Sequence, residues 1–451
     1  MRSIVCMLLL ALILSVQSVP VFAFEIERVE SPKGIVAWLK EDRANPIITL
    51  RFSFAGGSTQ DPLELSGRAR LVASTLDEGA GELPSKEFQE ILTDQSISLR
   101  FSAGGERFSG SLTTLTETSE QVFDLLRLAL TKPRFDDEAV ERMRQRMLAS
   151  LRSDTRNPNR IASQIWWRAN FPDHPYSYPS RGTKETLSAL RPEHLRAFWQ
   201  NVITRQDLKI AVAGDISAAE LAPLLDQLFG DLPERGSLKE IATLEIKALG
   251  QTMIAEVDVP QSVVRFGHGG IDRQDPDWCA SVLLDTIMAS GFGSRLTQEV
   301  REKRGLVYSV GASNFSMDKA SILLGSLATR NDRVAESIDL VKKEWRRMAD
   351  EGPSEAELAD AKSYVLGAFP ISMTSISDFA GVMLSLQQND LPIDYLKRRE
   401  ALFEQVSLAD MKRVAKRLYR ADSLSISVVG KPVGVEATRQ APRLEGFDNN
   451  G

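Results

Sequence analysis

The segment RFSFAGG at residues 51–57 decides the fold of this chain, because a second version of it occurs further along. That version, RFGHGG at 265–270, begins 214 residues later, and both versions run on to a QDP triplet, at 60–62 and at 274–276. A run of branched and aromatic residues that ends in glycine predicts a strand followed by a turn. Strand, turn and triplet matching at one offset predict a repeated structural unit.

A second pair of segments supports the repeat. LKIAVAG at 208–214 matches LSISVVG at 424–430, at an offset of 216 residues. The 451 residues of the chain are too many for one hydrophobic core. We therefore predict two duplicated domains that join near 233–250. Their predicted bounds are 24–235 and 251–438, with a linker at 236–250 and a tail at 439–451.

Apolar patterns predict similar elements in the two halves. Strands are expected at 47–55, 97–103, 107–114 and 208–213, and then at 253–257, 263–267 and in a hairpin within 307–327. Helices are expected at 67–76, 119–130, 136–153 and 184–200, and then at 276–289, 333–350 and 354–372. Neighbouring strands with helices grouped between them indicate an α+β fold, in which each domain is an antiparallel-rich sheet packed with helices.

The first residues indicate export. Arg2 precedes an apolar run at 4–16, and Val21 and Ala23 occupy the −3 and −1 places of a cleavage site. We predict a signal peptide at 1–23 and a periplasmic protein that leaves the membrane after cleavage. A retained N-terminal anchor is the alternative. The formal charge of −6, with both signs interspersed, gives no reason to expect a nucleic-acid partner.

Four stretches resemble the M16 family of zinc metallopeptidases, the pitrilysin and mitochondrial processing peptidase group, in its short two-domain form. They are FAGGS at 54–58 with GRARLVAS at 67–74, HPY at 174–176 with GTKE at 182–185, the strands ending at Gly214 and Gly430, and GFGSRL at 291–296 with REKRGLVY at 301–308. The resemblance implies two LuxS/metallohydrolase-like domains.

The zinc site of that family has no suitable side chains in this sequence. Active members carry His-x-x-Glu-His on the helix after the first glycine strand, and a later helix adds a glutamate. Histidines at i and i+4 share one helical face and one metal, while the glutamate takes a proton from metal-bound water. The matching positions here are Arg70, Ala73, Ser74 and Ser150. We therefore expect this chain to bind no cofactor.

The three histidines of the chain offer no replacement site. His174 lies in a proline-rich turn and is interpreted as structural. His194 follows Glu193 on a predicted helix without a second histidine at metal-binding spacing, which indicates a solvated or capping role. His268 occupies the repeat position of Phe54, which indicates packing. Cys279, the one cysteine after the signal peptide, is expected to be a buried thiol.

The second half retains a different pair of residues. The resemblance implies substrate-handling roles for an arginine and a tyrosine seven residues apart, here Arg301 and Tyr308. A helix at 294–304, with Gly305 after its end and a strand from 306 to 312, places both toward one cleft. A phenol suits an oxyanion, and a guanidinium suits a peptide carbonyl. The alternative is a surface arginine and a core tyrosine.

A glycine-rich loop precedes that helix. Gly291, Phe292, Gly293 and Ser294 form a segment whose glycines would let an extended peptide approach the backbone. In the processing peptidases, the subunit without zinc carries a longer loop of this kind. A plain helix cap by Ser294 is the alternative.

These features together resemble the zinc-free subunit of bacterial M16 heterodimers. The hypothesis is that the chain closes against a partner carrying His-x-x-Glu-His, which supplies zinc, to form a clamshell that cleaves peptides. In this hypothesis Arg301 and Tyr308 bind the substrate and stabilise the oxyanion. The alternative is an inert scaffold or a peptide-binding protein of the same fold.

Overall fold

The computed structural model describes residues 25–246 and 250–444. The predicted signal peptide lies outside the described residues, as do 247–249 of the predicted linker and 445–451 of the predicted tail. No helix in the described part of the chain is long and apolar enough to cross a membrane.

The first half forms a six-stranded sheet. Its strands, with a separate two-residue pair at β4 and β5, are β1 (Glu27–Glu30), β2 (Val36–Glu41), β3 (Ile47–Ala55), β4 (Gly79–Ala80), β5 (Leu83–Pro84), β6 (Ser98–Ala103), β7 (Arg107–Leu115) and β8 (Lys209–Gly214). The sheet order is β1-β2-β8-β3-β7-β6, and only β2 and β8 run parallel. The strands predicted at 47–55, 97–103, 107–114 and 208–213 are therefore present, within a residue at each end.

The second half repeats this sheet. Its strands are β9 (Thr252–Glu256), β10 (Gln261–Gly269), β11 (Val307–Ser316), β12 (Ser321–Arg330) and β13 (Ser425–Gly430). Their order, β11-β12-β10-β13-β9, matches β6-β7-β3-β8-β2, and β13 and β9 are its parallel pair. β10 lies 214 residues after β3 at both ends, so the duplication seen in the sequence is a duplication of the fold.

Fourteen α-helices cover these sheets in the described residues. They are α1 (Arg68–Ala73), α2 (Ser85–Asp94), α3 (Ser119–Thr131), α4 (Asp137–Asp154), α5 (Pro158–Asn170), α6 (Lys184–Ala189), α7 (Pro192–Val202), α8 (Ala218–Phe229), α9 (Trp278–Ala289), α10 (Val334–Glu351), α11 (Glu355–Ile371), α12 (Ile376–Gln388), α13 (Tyr395–Glu404) and α14 (Leu408–Leu418). The prediction of an α+β fold is confirmed.

Two of the predicted helices differ from the structure. The helix expected at 184–200 is split into α6 and α7, because Pro192 disfavours a helical conformation at the preceding residue and begins a new helix itself. The helix expected at 294–304 is a π-helix at Thr297–Glu302, preceded by two α-helical residues.

Each half has its own hydrophobic core, but each half also lends one helix to the other sheet. α5 of the first half packs on β10 and β13, and α12 of the second half packs on β3 and β8. The indole of the fully buried Trp166 on α5 donates to the Ser425 carbonyl (3.0 Å), and the Gln387 amide on α12 donates to the Ile210 carbonyl (2.8 Å). The two sheets are therefore held together by apolar burial and by satisfied hydrogen bonds.

Candidate functional site

The four positions expected to have lost the zinc ligands lie together. Arg70, Ala73 and Ser74, on and just after α1, and Ser150 on α4 line one open cleft of about 450 Å³. The edge strand β6 forms another wall of the same cleft. The four positions predicted from the sequence, at α1 and on α4, therefore lie in one place in the fold.

These four side chains do not fit a zinc ion. The Ser74 hydroxyl donates to the Leu71 carbonyl (2.9 Å), and the Ser150 hydroxyl accepts from the Arg181 guanidinium (2.6 Å). Ala73 has no ligating atom, and the Arg70 guanidinium would repel a dication. None of the described residues that line the cleft is Asp, Glu, His or Cys. Across the described part of the chain, no group of three or more such residues is placed to hold a metal.

The cleft is cationic instead. Arg70, Arg146 and Arg181 all line it, and Arg160 lines the adjoining cleft with Asp154. Partial burial lowers the pKa of Arg70, and the charges of Arg181 and Arg160 lower it further. Arg70 was predicted from the sequence, but Arg146 and Arg181 were not, because no local motif shows that three distant arginines converge.

Close backbone packing places Arg181 beside α1. Gly67 and Gly182 both have a left-handed backbone, with φ of +92° and +78°. A Cβ atom on Gly67 would lie 2.9 Å from the Gly182 backbone, so only glycine fits this contact. The segment before α6 is consequently held against the start of α1.

The QDP triplet of the repeat has a structural role at this point. The nearly fully buried Asp61 accepts from the Ala69 amide (3.1 Å) and from the Arg68 guanidinium (3.2 Å), which fixes the first turn of α1. Burial raises the pKa of Asp61 to about 6, against the lowering effect of these donors. In the second half Asp275, the equivalent residue, pairs with Arg417 (2.6 Å).

The histidines have the kinds of structural role that their sequence contexts predicted. His174 accepts from the Tyr176 amide (3.2 Å), and His194 accepts from the Arg191 amide at the start of α7 (3.1 Å). His268 is fully buried and accepts from the Trp345 indole (3.1 Å). Burial lowers the pKa of His268 to about 4, which keeps it neutral. Cys279 is only half-buried, and burial raises the pKa of its thiol.

Arg301 and Tyr308 lie against each other in the second half. The Arg301 guanidinium carbon is 5.4 Å from the centroid of the Tyr308 ring and 5.4 Å from that of Phe292, a cation–π arrangement with each ring. Tyr308 is 85% exposed and Phe292 is 74% exposed, so the alternative of a core tyrosine is wrong. Phe292, Arg301 and Tyr308 form what we call the aromatic–arginine cluster.

Local backbone geometry exposes this cluster. The pairing of β11 with β12 is irregular between Val307 and Val310, which places Tyr308 in a bulge. The π-helix carries Arg301 and ends at Glu302, and the φ of +60° at Gly305 allows the sharp turn into β11. Arg304 instead pairs with Glu299 (2.8 Å), so it is already engaged with a carboxylate.

The glycine-rich loop combines a hydrogen-bonded helix start at Ser294 with glycines that have open space beside them. The buried Ser294 hydroxyl donates to the Gly291 carbonyl (2.9 Å) and contacts the Thr297 hydroxyl (2.9 Å), which stabilises the start of the helical segment. Gly291 has a left-handed backbone (φ +82°), which favours glycine, and there is open space where a side chain would start at both Gly291 and Gly293. The Gln298 amide holds the Phe292 carbonyl (2.8 Å) and so orients the loop.

The fold and the site together define a class of protein. It has two duplicated sheets in the architecture of a zinc peptidase, but the residues at its expected metal positions cannot serve as zinc ligands. The profile of the peptidase M16 inactive domain matches residues 189–365. A solved structure of a peptidase M16 inactive domain from Pseudomonas fluorescens is 26% identical and superimposes with a TM-score of 0.84, over 91% of this chain and all of that one. Over residues 189–365 the chain therefore resembles the peptidase M16 inactive domain, and over most of its length it has the fold of that solved structure.

Two curated relatives extend over most of the chain. The non-peptidase homolog YmxG of Helicobacter pylori is 26% identical over 431 residues, which are 95% of this chain and 98% of that protein. The uncharacterized zinc protease YmxG of Bacillus subtilis is 19% identical over 88% of this chain and 96% of its own length. This chain is thus similar to the M16 inactive domain and to M16-type relatives over most of its length, and one of those relatives is named as a non-peptidase.

Proposed function

We propose that this chain is the zinc-free subunit of a two-chain M16 endopeptidase that degrades or processes peptides. It would close against a partner carrying His-x-x-Glu-His and enclose the substrate in a chamber. One observation carries the proposal: the exposed aromatic–arginine cluster presents a guanidinium that, within the described residues, has an ion pair only with its neighbour Glu302 (3.4 Å).

The chemistry of the cluster fits a peptide in its transition state. The Phe292 and Tyr308 rings both restrain the Arg301 side chain, so its donors would reach a peptide carbonyl without a large entropic cost. The exposed Tyr308 hydroxyl is a neutral donor for the oxygen that becomes negative during attack. Zinc bound in the partner would supply the activated water.

The decisive experiment combines this chain with an M16 chain carrying His-x-x-Glu-His, to be sought first in the neighbouring reading frames. The mixed subunits should cleave an unstructured peptide, and a chelator should abolish that cleavage. Tyr308→Phe should lower kcat by about 10²-fold, the usual effect of removing one oxyanion donor, and Arg301→Ala should lower kcat/KM.

Arg304→Ala is the matched control, because Arg304 lies in the same turn but is engaged by Glu299. It should leave turnover nearly unchanged. Size-exclusion chromatography of each mixture separates a loss of pairing from a loss of chemistry. Normal turnover of an intact Arg301→Ala pair and an intact Tyr308→Phe pair would refute the role of the cluster.

An inert scaffold or peptide-binding protein is the second candidate. The name of the Helicobacter pylori relative, a non-peptidase homolog, supports it. The same experiment separates the two functions. A complex whose turnover depends only on the partner's residues would indicate a scaffold.

We also propose that the chain is exported and cleaved after Ala23, as the n-region, apolar run and small residues indicate. N-terminal sequencing of the protein from a periplasmic fraction should begin at Phe24. A protein that retains its first residues in the membrane fraction would support the anchor instead.

A further inference from the structure

Two arginine side chains in the cleft that replaces the zinc site differ in how firmly they are held. Arg181 is fixed, because one of its nitrogens donates to the Ser150 hydroxyl (2.6 Å) and another pairs with Asp154 (2.9 Å). Arg70 is free, because no described residue gives it a hydrogen bond or an ion pair. The free guanidinium therefore has its donors available to a ligand.

The charges around Arg70 are unbalanced. Arg146 and Arg181 line the same cleft, and none of its described lining residues carries a negative charge. Asp154, in the adjoining cleft, already pairs with Arg181 (2.9 Å) and Arg160 (3.8 Å). Like charges held side by side cost free energy, and a bound anion would recover it. The site thus favours a ligand with a planar, doubly accepting anionic group, which a guanidinium binds through two parallel hydrogen bonds.

The other walls of the cleft favour a peptide as the carrier of that anion. β6 is an edge strand, paired only with β7, and its residues Phe101, Ser102 and Ala103 line the cleft. An edge strand offers unpaired backbone groups to an extended chain. Met143 and Met147 add an apolar, adaptable surface opposite. A small inorganic anion would use none of these walls.

We propose that this cleft is a receptor for a peptide carboxylate, which Arg70 and Arg181 bind at the place where active M16 relatives hold zinc. The carboxylate belongs either to the C-terminus of the peptide or to an acidic side chain. Binding needs no zinc-bearing partner, so the inference stands or falls separately from the proposed function.

The test uses the isolated mature chain and three acetylated decapeptides of one sequence without other acidic residues. One ends in a free carboxylate, one ends in an amide, and one ends in an amide but carries an internal glutamate. Calorimetry at low salt should show that the amide without glutamate binds about tenfold or more weakly than the acid. Tight binding of the third peptide would identify a side-chain carboxylate as sufficient.

Substitutions locate the site. Arg70→Gln should weaken binding of the acid peptide about tenfold, so that its affinity approaches that of the amide peptide. Arg70→Lys should retain part of the preference for the acid peptide. Arg70 has no partner whose loss would unfold the chain, so it is the first variant to make; Arg181→Gln should act in the same direction. Arg156→Gln is the control, because Arg156 is exposed and lines neither cleft but carries the same charge.

Four results would overturn the inference. Three of them concern the peptides: equal affinity for all three, a preference for a carboxylate that survives Arg70→Gln, and no measurable binding of any of the three. Stronger binding of inorganic phosphate than of every peptide would also overturn it, because it would show a site for small anions.

Discussion

Glu106, a single carboxyl group in the turn between β6 and β7, links the first half of the molecule to the second. It accepts from the Tyr176 hydroxyl and from the Asp318 backbone amide (2.8 Å), while the Lys319 amide donates to the same Tyr176 oxygen (3.0 Å). Burial raises the pKa of Glu106 to about 7, and the neighbouring Asp318 charge adds to this effect. A contact between the halves therefore titrates near neutral pH.

The titration of Glu106 predicts a pH-dependent stability. Its pKa is about 7 in the folded chain and near its ordinary 4.5 in the unfolded chain, so the folded state binds the proton more tightly. Stability from this group is present at low pH and is lost as the pH rises from about 5 to 7. As the pH rises from 5 to 8, the melting temperature of the wild type should therefore fall relative to that of Glu106→Gln, because glutamine mimics the protonated group.

Glu117→Gln controls for the removal of one charge, since Glu117 is exposed. It should leave the slope of melting temperature against pH unchanged. A constant difference in melting temperature between wild type and Glu106→Gln across this range would contradict the assignment.

Single residues were predictable from the sequence where a local motif carries them. The spacing of Arg301 and Tyr308 within REKRGLVY predicted two neighbours, and the structure has their side chains in contact. Arg181 and Glu106 were not predicted. Their partners, Ser150 and Asp318, lie 31 and 212 residues away along the chain, and no periodic pattern shows such a contact.

Among the elements, α1 depends most on one buried group. Only six residues long, it is too short to be stable on its own propensity and needs Asp61 at its start. Asp61→Ala would leave the Ala69 amide and the Arg68 guanidinium without this acceptor in a buried place. We expect a loss of about 3 kcal/mol in the free energy of unfolding.

The duplicated fold supplies the comparison for this prediction. Asp275→Ala removes the equivalent carboxylate, but its partner Arg417 is half-exposed, so the loss should be about 1 kcal/mol. Urea unfolding of both variants measures the difference. Equal losses would show that burial of Asp61 contributes nothing specific to α1.

Predicting elements from the sequence worked where their partners are close in sequence or their pattern is strong. β3 was predicted to the residue, because it combines branched residues with a terminal glycine pair. The prediction of one helix at 184–200 was wrong, because a new helix begins at Pro192 although the apolar spacing continues across this residue. α5 was missed because its apolar face packs on β10 and β13, about a hundred residues or more away.

At the scale of the whole molecule, the exchange of α5 and α12 couples the two sheets. The two helices begin at equivalent places of the repeat, 158 and 376, and each covers the sheet of the other half. The predicted linker is also held to both halves: the Lys239 amide donates to the Gln60 side chain (2.7 Å) and the Leu244 amide to the Lys319 carbonyl (2.9 Å). The two predicted domains should therefore not unfold independently.

Trp166 offers the sharpest test of this coupling. It belongs to the first half but lies fully buried against the second sheet, where it donates to Ser425. Trp166→Ala should cost about 3–5 kcal/mol through the cavity it leaves. If the halves form one cooperative unit, calorimetry should still show one transition at a lower temperature, and hydrogen exchange should accelerate in both β3 and β10. Phe292→Ala, which removes an exposed ring, should change stability by about 0.5 kcal/mol or less. Two separate transitions, with β3 unaffected by Trp166→Ala, would instead show that α5 stabilises only the sheet on which it packs.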